Sequence, residues 1–105
     1  MIVRTWRGRA RASKSDAYVD HFRRNVLPEL REIEGFLGAS LLKAERGDVV
    51  ELLVLTRWAS MDSIRAFAGK DVDRAVVEPE AIRVLLDFDP TVRHYDVVEE
   101  ALAGR

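Results

Sequence analysis

The strongest constraint in the chain lies between Val49 and Gly69, in the stretch VVELLVLTRWASMDSIRAFAG. Side chains alternate across a strand, so Val50, Leu52, Val54 and Trp58 point one way and Val49, Leu53 and Leu55 the other. Both sets are apolar, and such a strand needs cover on both faces. The period then changes. Ser60 is placed to cap a helix, Asp62 falls in its first turn where the helix dipole favours negative charge, and Gly69 is placed to stop it. Met61, Ile64, Phe67 and Ala68 recur at helical spacing and are expected to lie on the sheet.

The flanking segments supply partners for that strand. Ile2 to Arg9 alternates as a first strand, with Ile2, Arg4 and Trp6 on one face, Val3, Thr5 and Arg7 on the other, and Gly8 near its end. Ser13 and Asp16 are spaced as a capping box for a helix whose stripe is Tyr18, Phe22, Val26, Leu30 and Ile33. Pro28 interrupts it as a kink or as the start of a second helical segment, and Gly35 ends it. Phe36 to Glu45 is a second strand, joined by a turn at Arg46, Gly47 and Asp48 to the central one. After Gly69 the pattern predicts a helical turn over Asp71 to Val77. A short helix from Pro79 follows with Ile82, Leu85 and Leu86 inward, then a last strand from Thr91 to Val98 and a fraying tail.

The order strand, helix, strand, strand, helix, strand is the α+β, ferredoxin-like βαββαβ arrangement with a four-stranded antiparallel sheet. Right-handed crossovers put both helices on one face. The other face is left bare although leucines lie on it, and an apolar patch of that kind marks an interaction surface. A homodimer with two open sheet faces packed together is expected.

At 105 residues the chain is expected to form one domain, burying roughly 60–70% of the surface its unfolded form exposes. A formal net charge of -1 speaks against a general nucleic-acid or membrane-surface role, since either needs a clear excess of Lys and Arg. Locally, Arg4, Arg7, Arg9, Arg11 and Lys14 surround Trp6, either as a charged, solvated strand edge or as a funnel for a small anion. The absence of cysteine removes disulfides, thiolate metal sites and a cysteine nucleophile. No stretch resembles a signal peptide or a membrane span, so a cytoplasmic location is expected.

VELLVLTRWASMDSIRAFAG, the strand containing VRHYDV, and LPELREIEGFLGA before the hairpin together resemble the antibiotic biosynthesis monooxygenase family of the dimeric α/β barrel superfamily. The resemblance covers nearly the whole chain. It implies a dimeric barrel and a pocket between each sheet and its helices. Members of that superfamily differ in chemistry: some oxidise electron-rich aromatic polyketides with oxygen and no cofactor, some degrade haem, and some oxidise quinols. The haem-degrading members carry a ligand histidine after the second helix, whereas Ala68 to Pro90 contains none here, so haem degradation is disfavoured.

Among single residues, His94 stands out, because a neutral imidazole inside a strand can hold a phenol, take its proton or bind a ligand, or else be satisfied structurally. Trp58 and Trp6 can stack on a planar ring or belong to the core. Phe67 and Phe22 fit helical core stripes, and Phe67 is the further candidate for a substrate wall. His21 is expected at the partly exposed edge of its stripe. With two histidines on separate elements and no cysteine, no metal site and no cofactor are expected. The expected function is a cofactor-independent, monooxygenase-like protein for a small planar electron-rich aromatic or quinol, with His94 as base or anchor. The alternative is a non-catalytic, dimeric small-ligand-binding or stress-response protein in which side chains close the same space.

Overall fold

The computed structural model describes residues 1–104. Strand β1 (Ile2–Arg11) leads through a 3-10 turn (Ala12–Lys14) into α1 (Ser15–His21), a π-helical turn (Phe22–Val26) and α2 (Leu27–Arg31). The hairpin β2 (Phe36–Arg46) and β3 (Val49–Trp58) follows, then α3 (Met61–Ala68), α4 (Pro79–Val84), β4 (Asp87–Phe88) and β5 (Arg93–Asp96). The sheet order is β2-β3-β1-β4, with β5 also on β1, and every pairing is antiparallel. This is the ferredoxin-like order with its last strand in two pieces, and the sheet is open.

The central strand behaves as its alternation requires. Val50, Leu52, Val54, Thr56 and Trp58 are buried in strict alternation with half-exposed neighbours. That inner face, joined by Phe36, Ala39 and Leu41 of β2 across a bulge at Leu37, lies under the helices. The outer face carries Leu53 and Leu55 beside Leu42 and Tyr95, with no cover from the described residues. Gly8 does not end β1: the strand runs on to Arg11, paired with Val49, and Gly8 makes room for the Trp6 indole, whose Cη2 would lie 2.8 Å from a Cβ there.

Three helical expectations need correction. Ser13 caps nothing; it sits inside the 3-10 turn, and Ser15 Oγ instead donates to the Ala12 carbonyl at 3.1 Å. Asp71 to Val77 forms only a single turn, with Arg74 N–H donating to Asp71 O at 3.1 Å, and no helix, because the rest of its backbone bonds elsewhere. Ala75 donates to Pro90 O at 2.9 Å, Val92 donates to Asp73 O at 2.8 Å, and Arg74 bridges to Thr91. In α4, Ala81 takes the buried position, while Ile82 and Leu86 stay exposed and Leu85 packs partly inward. The last strand keeps only its middle: Asp89 N–H still donates to Arg7 O at 2.9 Å, but Pro90 offers no N–H, and residues 90–92 loop away from β1 before β5 begins.

Pro28 produces the π-helical turn. Proline has no N–H for the carbonyl four residues back, and the preceding turn widens so that Leu27 N–H reaches Phe22 O, five residues back. The rod from Ser15 to Arg31 therefore continues, with Tyr18, Phe22 and Leu30 buried against the sheet. The α3 helix meets its expected ends. Ser60 Oγ accepts from Ser63 N–H at 3.2 Å, and Gly69 follows at φ 85°.

Gly35 is a further fixed point. It holds φ at +92°, and a Cβ there would meet Ser63 Oγ at 1.9 Å and Ser63 Cβ at 2.7 Å. Gly35→Ala is expected to lower unfolding stability by about 2–4 kcal/mol in urea titration. Adding Ser63→Ala will not restore it, because both the Cβ contact and the left-handed backbone remain.

Candidate functional site

Between the inner sheet face and the α1–α2 rod lies a cavity of about 60 Å³, roofed by residues 76–78. Trp6 enters it from β1, Tyr18 and Phe22 from the rod, and Phe67 from α3. Four polar side chains reach it: Arg4, Thr56, His21 and Glu78. Trp6 is held by its Nε1–H donating to Asp89 O at 3.0 Å, and its ring centroid lies 5.9 Å from that of Tyr18. Burial pushes the Tyr18 hydroxyl above the usual tyrosine range, and the Glu78 charge adds to the effect.

Arg4 is the unusual member. Its residue is 5% exposed, yet among the described residues no carboxylate forms an ion pair with it. The guanidinium instead donates through Nη1 to Val72 O at 2.5 Å and through Nη2 to Arg74 O at 3.0 Å, and it lies 5.8 Å over the Phe67 ring. Burial lowers its pKa to about 10, opposed by the charge of Asp73, so Arg4 stays a cation at neutral pH. A guanidinium has five N–H donors, and those left over are available to whatever occupies the cavity.

His94 faces the helices, opposite Arg4 in the β1–β5 pairing. Its Nε2 lies 2.9 Å from Arg4 Nη1 and its Nδ1 lies 3.4 Å from Asp73 Oδ1. Because guanidinium can only donate, Nε2 must accept, and the ring proton belongs on Nδ1 toward Asp73. His94 therefore stands behind Arg4 rather than in the cavity wall.

The remaining predicted residues divide. Trp6 and Phe67 line the cavity together. Trp58 does not: it is fully buried in a separate aromatic layer, its ring 5.8 Å from Phe67 and 5.4 Å from Phe36, and its Nε1–H donates to Thr56 Oγ1 at 2.8 Å. His21, expected at a half-exposed edge, is buried because α4 packs across α1. Sequence reasoning had Arg4 only as one member of the basic cluster around Trp6, and it passed over His21 as a site residue. The available signals were an arginine on the same parity as Ile2 and Trp6, and a histidine three residues from Tyr18. A wider trough runs between α1 and β2, but its charged groups, Asp16, Asp20, Arg23 and Lys43, sit on an open rim.

The fold and its cavity define a ferredoxin-like α+β protein with a helix-covered aromatic pocket and a bare sheet face. Residues 1–79 match the family model for antibiotic biosynthesis monooxygenase, and the chain belongs to that family. A candidate antibiotic biosynthesis monooxygenase of Bacillus cereus superposes with a TM-score of 0.70 at 20% identity, over 99% of this chain and 97% of that one. A Streptomyces coelicolor monooxygenase in complex with nanaomycin D gives 0.65 at 17% identity, over 98% and 92%. A haem-degrader of Mycobacterium tuberculosis with two haems in its active site gives 0.62 at 17% identity, over 96% and 99%. At these identities the likeness is one of fold. Among curated proteins none matches the chain. No helix among the described residues is long and apolar enough to cross a membrane.

The His94 environment generates a pH prediction. Burial lowers its pKa from the ordinary 6.5, the Arg4 charge lowers it further, and Asp73 opposes both. The unfolded chain then binds a proton that the folded one refuses, so stability is full above pH 6.5 and falls as pH drops from there toward the depressed value. In urea titrations from pH 8 to pH 5, His94→Gln is expected to flatten that part of the decline.

Proposed function

We propose that this family member binds a small planar substrate as its phenolate or enolate, with the anionic oxygen at Arg4 and the ring against Trp6 and Phe67, and oxidises it without a cofactor. The observation that carries this reading is the buried Arg4 cation, lacking a carboxylate partner, at the floor of an aromatic-walled cavity. The Streptomyces coelicolor relative, a monooxygenase with a bound ligand, supports it by analogy.

The chemistry asks little of the protein. A ring CH₂ beside a carbonyl loses a proton to give an enolate, which gives its electrons to O₂; a C–O bond forms and the O–O bond breaks. One oxygen remains as a new carbonyl and the other leaves as water with the two substrate hydrogens. Arg4 stabilises the anion in a poorly solvated site, where a fixed cation acts more strongly than in water. Glu78 and His21 are the groups at the mouth able to receive the proton. His94 is then a positioning residue, acting through Arg4. Trp58 supports Phe67 from behind instead of forming a wall.

A second reading rests on volume. A space of about 60 Å³ holds about two waters, whereas ligand pockets occupy roughly 300–1,000 Å³. A ring enters only if the segment roofing the cavity moves, and a haem needs far more. If that roof stays closed, or opens to a ring that is bound but not oxidised, the protein is the non-catalytic alternative.

The experiment is a spectrophotometric titration with a hydroxylated naphthalene or anthrone, in air and under argon. In the bound state the phenol is expected to ionise about 1–3 pH units below its free value. Arg4→Gln should abolish that shift and slow oxygen uptake by about 100-fold or more. Binding with the shift but without oxygen uptake would select the second reading, and binding with an unshifted ionisation would remove Arg4 from the site.

We also propose that two copies pack through the outer face around Leu42, Leu53, Leu55 and Tyr95, a patch this chain leaves uncovered. Native mass spectrometry should give twice the chain mass, and Leu53→Glu should give the monomer.

A further inference from the structure

We infer a divalent transition-metal site at the mouth of the cavity, formed by His21, Glu78 and Glu80. One ligand atom from each side chain lies within 4.8 Å of the other two. A Zn²⁺ ion makes bonds of about 2.0–2.2 Å to imidazole nitrogen and carboxylate oxygen, so it reaches three such atoms after a small inward movement of the two glutamates. Glu80 is exposed and free to make that movement.

The acidic pair alone has an ordinary explanation, since both residues sit at the start of α4, where the backbone favours negative charge. His21 does not share it. It is 7% exposed, lines the cavity, and has Asn25 Nδ2 at 2.9 Å from its Nδ1. Its Nε2 has no hydrogen-bond partner among the described residues. A buried imidazole whose Nδ1 is held by a polar neighbour leaves Nε2 to ligate, as in metal-binding histidines, and the two carboxylates lie within reach of the ring. Ligation through Nε2 puts the ring proton on Nδ1, and a half-turn of the Asn25 amide presents its oxygen to accept it.

One nitrogen and two carboxylate oxygens suit Zn²⁺ or Co²⁺, whereas Mg²⁺ and Ca²⁺ prefer oxygen alone. The ligands come from α1 and from the start of α4, which pack together. A bound ion therefore fastens the segment that roofs the cavity. The site shares His21 and Glu78 with the proton acceptors of the oxygenase reading, and its test reads metal binding rather than oxygen uptake.

The test is calorimetric titration of the full-length protein with ZnCl₂, using MgCl₂ as control, together with long-range ¹⁵N–¹H spectra of the imidazoles. One Zn²⁺ per chain is expected, reversed by EDTA, with the His21 Nε2 resonance moved and no heat from Mg²⁺. Glu80→Gln, an exposed change that leaves the far-ultraviolet circular dichroism intact, should weaken binding by at least about tenfold, and Glu78→Gln likewise. Absence of Zn²⁺ binding overturns the inference. So does equal affinity in both variants with the shift on His94, which would put the ion beside Asp73 instead.

Discussion

A guanidinium buried under helices can be kept only if its protons are accepted, and that requirement at Arg4 shapes much of this molecule. The acceptors are backbone carbonyls of Val72 and Arg74 and the ring of His94. Drawing residues 72–74 down onto Arg4 brings them alongside residues 90–92, with which they exchange backbone hydrogen bonds. That exchange diverts the last strand from β1 and divides it into β4 and β5. One charge on the first strand is thus linked to the path of a loop seventy residues away and to the roof of the cavity.

A second constraint, Pro28, acts from the opposite side. The widened turn it produces lets the rod pass the proline without breaking, so Tyr18, His21 and Phe22 stay in phase over the sheet. The interior then separates into two aromatic layers. Trp58, Phe36 and Phe67 form one, closed by packing and by the Trp58–Thr56 hydrogen bond. Trp6, Tyr18 and the other face of Phe67 border the second, where the Arg4 cation sits. Close packing in the first layer keeps Phe67 in place as a wall of the second.

Family membership carries the fold further than it carries the chemistry, because one fold hosts many reactions and the reaction lives in particular side chains. The family match spans residues 1–79, whereas His94 and its strand lie beyond it. Most of the fold was legible in the residues: the alternation of β3, the Ser60 cap, the Gly69 stop, the hairpin at Gly47 and the stripe of α1 each follow from local spacing. The site was legible only in part. Trp6 and Phe67 stood out as candidates because aromatic side chains declare themselves, and both line the cavity. Trp58 stayed open between wall and core, because an indole in the core and one lining a pocket have the same sequence signature; in the structure it is fully buried, with its N–H on Thr56.

What the sequence by itself determined was the set of elements and which side chains of each share a face, since both depend on neighbours a few residues away along the chain. It placed Arg4 with Trp6, and it set Leu53 and Leu55 against Leu52 and Val54 without deciding which pair the helices cover. Only the tertiary structure decided that Arg4 would be buried without a carboxylate, that His94 would stand behind it, and that His21 would meet Glu78 and Glu80. Each of those depends on where the irregular segment between α3 and α4 lies. Its course is fixed by hydrogen bonds to residues distant in the chain, which no local periodicity records.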